Sequence, residues 1–168
     1  LAHARVATVG PGEQAHQAMR SAKALLEEAG SGLEHVTRTV TYITDRAWRE
    51  PVYNAIYSHM QGIPAVGTGL VVKGLAMPAM KMEIDIDAVI PGPGEEHERL
   101  RRFNTRNWFG QSLDRESCMV VKTGGEIFLR GQTGTSLDGT RQYGKGYTRE
   151  AAAEQADVAM SNARTLLE

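Results

Sequence analysis

The 168-residue chain has one cysteine, Cys118, only six prolines, and an aromatic content of 6%. A single cysteine excludes an internal disulfide framework and fits a reducing compartment. No apolar run approaches the ~20 residues that a membrane span needs. Residues 1–10 also lack the charged and then continuously apolar regions of a secretory signal. The sequence therefore reads as a cytoplasmic protein with no membrane partner. Charge of one sign is missing as well: 19 Lys and Arg face 20 Asp and Glu, for a net charge of −1. That balance excludes a strongly basic nucleic-acid binder. Splitting the chain at Ile90 gives 8 basic and 9 acidic residues before it and 11 of each after it, so charge does not divide the chain into functional parts. The five histidines, His3, His16, His35, His59 and His97, show no metal-ligand spacing. None of the glycine-containing segments opens a helix with the Gly-Lys-Ser/Thr ending of a phosphate loop. No metal ion is expected.

The chain does have the makings of a packed core, with 41% apolar and 23% charged residues. Over 13–29, Ala15, Ala18, Met19, Ala22, Leu25, Leu26 and Ala29 recur at helical spacing after Pro11 and before Gly30, which predicts a helix with one buried stripe. The β-branched and aromatic run over 36–44 predicts a strand. Val52, Ile56, Tyr57 and Met60 predict a shorter second helix beginning near Pro51. A strand is predicted over 68–73. The segment 81–90 alternates Met82, Ile84, Ile86, Ala88 and Ile90 with Lys81, Glu83, Asp85 and Asp87, a strand with one core face and one polar face. Segments 119–122 and 126–130 flank Gly124-Gly125, a dipeptide suited to a tight hairpin turn. Thr148 is placed to cap a final helix.

That final helix repeats the first. At a shift of 141 positions, Glu13, Gln14, Ala15, Ala18, Met19, Ala22, Leu25, Leu26 and Glu27 match Glu154, Gln155, Ala156, Ala159, Met160, Ala163, Leu166, Leu167 and Glu168, 9 identities in 15 positions. The period exceeds the ~20–50 residues of solenoid repeats, so duplication of a whole domain is expected, with the buried stripe reproduced in register. The expected organisation is a first unit over 1–90 lacking its opening hairpin, a linker over 91–114, and the opening hairpin and first helix of a second unit over 115–168.

Several of these pieces, taken together, resemble the RidA (YjgF-type) family of reactive-intermediate deaminases. The residues that carry the likeness are 14–26, Glu28-Ala29-Gly30-Ser31-Gly32-Leu33-Glu34-His35-Val36, Val40-Thr41-Tyr42-Ile43-Thr44-Asp45, Val52-Tyr53-Asn54-Ala55-Ile56-Tyr57, Ile63-Pro64-Ala65, Met82-Glu83-Ile84-Asp85 and Arg130-Gly131-Gln132-Thr133-Gly134. The resemblance implies an α+β fold with a mixed sheet carrying two helices on one face, as in chorismate mutase. It implies assembly as a homo-oligomer, a trimer or pseudo-hexamer with ligand clefts between domains. It also implies hydrolysis of small imines and enamines to keto compounds and ammonia without a cofactor.

Imine hydrolysis requires a carboxylate anchor, a place for the leaving nitrogen, and a group that moves protons or positions water. In the family an arginine after Pro-Ala clamps the substrate carboxylate; here that position is Val66, which offers neither donor nor charge. The specificity is therefore expected to differ from that for 2-aminoacrylate. Glu83 matches the family's cleft glutamate and is the candidate catalytic carboxylate. Thr68 and Gly131 match positions whose backbone groups contact ligand. Arg130 is a candidate to supply the missing charge from another wall, and Asn54 lies at a family-typical place on the second helix, where it braces a domain contact or touches ligand. Cys118 reads as a buried structural thiol. The alternative function is a non-catalytic small-molecule-binding or assembly module of the same fold. RNA binding is a weaker reading, because Glu95, Glu96 and Glu98 neutralise Arg99, Arg101, Arg102 and Arg106 beside Phe103 and Trp108, and the spacing Glu95/Arg99 and Glu98/Arg102 suggests pairing on a helix surface.

Overall fold

The structure is a computed structural model that describes residues 9–107 and 113–168; the expectations drawn for residues 1–8 and for Trp108 lie outside them. Helix α1 (Pro11–Glu28) starts with proline at a position where its missing N–H costs nothing. It stops at Gly30, whose φ of 73° lets the chain reverse while Ser31 N–H donates to Leu26 O at 2.8 Å. Strand β1 (Val36–Ile43) is followed by helix α2 (Arg49–His59), then strands β2 (Val66–Val71) and β3 (Met82–Ala88). The sheet order is β2-β1-β3, with β2 parallel and β3 antiparallel to β1, so the sheet is mixed. The β2 strand begins two residues earlier than its β-forming residues alone predict.

Register assigns the faces. Thr39, Thr41 and Ile43 pair with Ile86, Ile84 and Met82, and this face meets both helices through Ala15, Met19, Val52 and Ile56. Arg38, Val40 and Tyr42 pair with Asp87, Asp85 and Glu83 on the opposite face, where Arg38 bonds Asp87 at 2.6 Å and the Tyr42 hydroxyl donates to Asp85. The α+β class and the mixed sheet with two helices over one face are as the family likeness implies.

One contact between the helices is titratable. His16 of α1 and His59 of α2 stand 3.1 Å apart. Burial, followed by His16, Arg20 and Lys23, pulls His59 below the usual histidine range. The unfolded chain then binds the proton more readily than the fold, so stability is complete above about pH 6.5 and is lost as pH falls below it. The melting temperature is expected to drop between pH 7.5 and 5.5 by about 2 °C more in the wild type than in His59→Gln, as read by calorimetry.

After β3 the chain forms β4 (Glu98–Leu100) and β5 (Phe103–Asn104), then β6 (Glu116–Ser117), β7 (Val120–Thr123), β8 (Glu126–Leu129) and α3 (Arg149–Leu167). The hairpin β7-β8 turns at Gly124 and Gly125, both at positive φ, and pairs with β4 in a second sheet; β5 and β6 form a two-stranded ribbon. The helix-surface pairing expected around Arg99 is not what forms. That stretch is extended, with Glu98 bonded to Lys122 at 3.2 Å and Arg102 to Glu116 at 2.6 Å. Arg106 pairs with Asp114. Arg99 donates to the carbonyls of Pro64, Glu34 and Val36. A period-2 strand of three residues is too short for its alternation to outweigh a helical charge spacing in the sequence.

The second sheet is sandwiched. On one side Val121 and Cys118, with Phe128, pack on Val66 of β2; on the other, Met119 and Val120 pack on Leu166 of α3. Thr148 caps α3, its hydroxyl accepting from Ala151 N–H at 3.1 Å. The buried stripe, however, is not reproduced between α1 and α3. Met19 is fully buried while its counterpart Met160 is 69% exposed, and Leu25 is 65% exposed while Leu166 is buried. Helix α1 is covered by α2 as well as by the sheet, whereas α3 rests on its hairpin, so identical residues meet different surroundings.

Candidate functional site

The seam between the first sheet and the β7-β8 hairpin runs along β2, the strand that ends the first sheet. Its docking points are main-chain groups of the Pro64-Ala65 segment. The Cys118 thiol donates to Pro64 O, and the Ser117 hydroxyl donates to Ala65 O at 3.1 Å. Burial pushes the Cys118 thiol up to about 11, so it stays protonated as a donor and is no nucleophile. Val66, fully buried, faces away from the helices in the row of Arg38 and forms the dry part of the seam with Cys118 and Val121. The position at which the family likeness implies a clamping arginine is an apolar contact here.

Beside this dry contact lies a cavity of about 150 Å³. Its floor is β2 from Gly67 to Val71. One wall is Arg46 of the short 3-10 turn before α2 together with Arg49, Tyr53 and Tyr57 of α2, and the other wall is Arg115 and Arg130 from beyond the linker. The positions 49, 53 and 57 recur every fourth residue and so share one face of α2. Tyr53 fits only because residue 69 is glycine: a Cβ there would lie 1.9 Å from the tyrosine oxygen. Gly131 is similarly close to Thr68, whose Oγ1 would be 2.6 Å from an added Cβ. Thr68 and Gly131, from opposite sides of the seam, are thus in direct apposition at the cavity.

The electrostatics are one-sided. Arg115 stacks on Tyr57 at 3.8 Å from the ring centroid and lies 5.6 Å from that of Tyr53, with Arg49 5.7 Å from the latter. These are cation–π distances. The Nε of Arg115 is buried without a hydrogen-bond partner among the described residues. Burial first, then the charge of Arg130, pulls Arg115 down to about 9, and burial lowers Arg130 as well. Tyr53 moves the other way, raised by burial against the opposing pull of Arg115 and Arg49, so its phenol holds its proton at neutral pH. No Asp or Glu stands among the described residues that line the cavity. The arrangement can hold an anion, orient it against β2, and offer a phenolic proton.

Of the residues singled out from the sequence, Thr68 and Arg130 line this cavity and Gly131 abuts it. Asn54 is exposed and lines a neighbouring open groove of about 400 Å³, which shares Tyr57 and Arg115 with the cavity. Glu83 sits on β3, across β1 from β2, in the row of Tyr42 and Leu70 and on the face away from the helices. That is two strand spacings, roughly 10 Å, from β2. It does not line the cavity. Arg115, Arg46, Arg49 and Tyr53 are absent from the sequence reading as site residues. The Arg49-Tyr53-Tyr57 spacing is the signal that could have found three of the wall residues; Arg115 carries none, since it reaches the site only through the docking of a later segment. Among the described residues no group of three or more His, Cys, Asp or Glu is gathered to hold a metal ion, and no helix is long and apolar enough to cross a membrane.

Comparison with known proteins adds the following. The family model described as endoribonuclease L-PSP matches residues 3–90, just over half of the chain. No curated protein matches. Among solved structures, a member of the YjgF/YER057c/UK114 family from Mycobacterium tuberculosis is 29% identical, over 45% of this chain and 64% of that one, with a TM-score of 0.44. A Rid-family protein of unknown function from Yersinia pestis is 28% identical over 46% of this chain and 60% of that one (TM-score 0.43), and RidA from an Antarctic Psychrobacter is 21% identical over 45% and 61% (TM-score 0.43). The chain thus spans about three fifths of the length of these relatives.

Proposed function

The chain belongs to the endoribonuclease L-PSP family, the YjgF/RidA proteins, and from that membership we propose that it binds a small carboxylated imine or enamine in the cavity beside β2 and hydrolyses it. The observation that carries this reading is the cavity itself, where Thr68 and four arginines, three of them half-buried, stand with no acid among the described lining residues. A guanidinium holds a planar carboxylate through two parallel charged hydrogen bonds, and burial strengthens each of them. With the carboxylate held, the imine carbon lies against β2. Water adds to that carbon, the nitrogen takes a proton to become the leaving amine, and the carbinolamine collapses to a ketone and ammonia. Tyr53, which keeps its phenolic proton, is the group in reach to supply it. Glu83 has no part in this step as the residues are arranged, and a catalytic role for it requires a cleft on the other face of the sheet.

A second reading, binding without turnover, is favoured by one observation: no carboxylate that could act as a base lines the cavity among the described residues. Ammonia release separates the two. With an imino acid generated in the assay by a flavin amino-acid oxidase, the hydrolase reading expects ammonia to appear faster with the protein than without it, and much slower with Tyr53→Phe. Equal rates with and without the protein, despite saturable binding of the keto-acid product, leave the binding module.

The finer family properties are proposals as well. The 141-residue repeat supports a tandem arrangement of units over 1–90 and 115–168 joined by 91–114. The family likeness supports assembly as a trimer or pseudo-hexamer, and the single cysteine supports a cytoplasmic location.

A further inference from the structure

Neither His16 nor His59 lines the cavity or the groove beside it, yet their rings converge from different helices. Nδ1 of His16 on α1 stands 3.1 Å from Nε2 of His59 on α2, with ring centroids 5.3 Å apart and planes at 62°. We infer that this pair is a binding site for a late first-row divalent ion of the class of Zn²⁺, held by the two imidazoles with water in its remaining positions. Sequence spacing does not reveal it, because the two positions lie 43 residues apart and meet only when α1 packs on α2. The bite is the first observation behind it. An ion bound at about 2.0–2.1 Å by two nitrogens at a right or tetrahedral angle holds them roughly 2.9–3.4 Å apart. The observed 3.1 Å lies inside that range. In the structure one nitrogen donates to the other along the line joining them. To converge on a shared ion each ring turns by roughly 35–45° about χ2, a soft torsion in histidine, and carries its proton on the outer nitrogen.

The second observation is the state of the rings. A metal ion takes the neutral imidazole. Burial, followed by His16, Arg20 and Lys23, holds His59 below the usual histidine range, so at neutral pH it offers a lone pair. The two cations are each paired, Arg20 with Glu13 at 3.5 Å and Lys23 with Glu27 at 3.7 Å, which offsets part of their field on an incoming ion. Both rings are half-buried, so water reaches the pair. The other histidine pair, His35 and His97, makes the contrast. Its centroids are 6.1 Å apart. His97 is tied through Nε2 to Val89 O at 2.8 Å and through Nδ1 to Arg99 at 3.3 Å, and His35 Nδ1 stands 3.1 Å from the Ser31 hydroxyl. The ring nitrogens of His16 and His59 bond only each other among the described residues. No third His, Cys, Asp or Glu is gathered with them among those residues. The ion therefore exchanges readily, and its effect is to tie α1 to α2 rather than to act at the seam.

Calorimetric titration of the untagged full chain at neutral pH, with Zn²⁺ and with Mg²⁺ as control, tests the site. One equivalent of Zn²⁺ is expected to bind and Mg²⁺ is not, since Mg²⁺ takes oxygen ligands in place of imidazole. His16→Gln and His59→Gln are each expected to weaken Zn²⁺ binding by about tenfold or more while keeping the wild-type circular-dichroism spectrum. Zn²⁺ at about a hundred times its Kd is expected to raise the melting temperature of the wild type by roughly 5–10 °C, and that of neither variant. Imidazole nitrogen NMR of the wild type places the ion without any substitution: His16 Nδ1 and His59 Nε2 are expected to shift, and His35 and His97 to stay in place. Zn²⁺ bound equally well by the double variant, shifts confined to other histidines, or no binding to the wild type would each overturn the inference.

Discussion

Val66→Arg, which installs the arginine that the family likeness implies at this position, is expected to destabilise the protein rather than to improve it. Val66 is fully buried against Cys118, Val121 and Phe128, at the point where the β7-β8 hairpin docks on β2. A guanidinium there is an unpaired charge in an apolar contact, at a cost of about 3–5 kcal/mol, with further strain from the added volume. For a chain of this size the melting temperature is expected to fall by roughly 10 °C. The hairpin is expected to loosen first, which hydrogen exchange at Val120 and Val121 would report. A Val66→Arg protein with wild-type stability and faster turnover would mean that this part of the seam is open to solvent rather than a dry contact.

Arg115→Met has the opposite signature, a gain in stability with a loss of binding. Arg115 is pulled far down from the usual arginine range by burial and by Arg130, and its Nε has no hydrogen-bond partner among the described residues. A desolvated cation facing other cations costs the fold more than its stacking on Tyr57 returns, since cation–π contacts contribute about 0.5–2 kcal/mol. Methionine keeps most of the packing against the ring without the charge. The expected result is a melting temperature about 2–4 °C higher, equivalent to roughly 1 kcal/mol. Affinity for a carboxylate ligand is expected to fall at least tenfold, because a charged hydrogen bond contributes about 1.5–3 kcal/mol. An arginine with a merely structural role would give the reverse, a lower melting temperature with binding intact.

How much of this was legible in the sequence differs by element. Helix α1, strands β1 and β3, the Gly124-Gly125 hairpin and the Thr148 cap all rest on local chemistry: a 3.6 or 2.0 period, positive-φ glycines, a hydroxyl at an N-cap. They formed where that chemistry placed them. The short strands around Arg99 were not legible, because three extended residues carry too little alternation to outweigh a helical charge spacing. The buried stripe of α3 was misjudged for another reason. A stripe states which residues could be covered, and coverage depends on whether a second helix lies against them, as α2 does against Met19 and nothing described here does against Met160.

The site was legible in proportion to its locality. Thr68 and Gly131 could be placed at the cavity through a family pattern of main-chain contacts, which survives changes of side chain. Arg130 could be named from the same family likeness. Arg115 could not, since its only link to Tyr53 and Tyr57 is tertiary, made by a segment more than fifty residues later in the chain. Glu83 shows the converse: its residue type and strand match the pattern, yet β3 lies across β1 from β2 and Glu83 does not line the cavity.

The most direct measurement is side-chain NMR of the arginine Nε–H groups during titration of the full chain with succinate. A saturable shift of the Arg115 signal, accompanied by Arg130 and Arg49 and lost in Arg115→Met, is the result expected of a cationic site at the seam. A saturable perturbation confined to Tyr42, Glu83 and Asp85, with the arginine signals unmoved, would place the ligand on the other face of the sheet and contradict it.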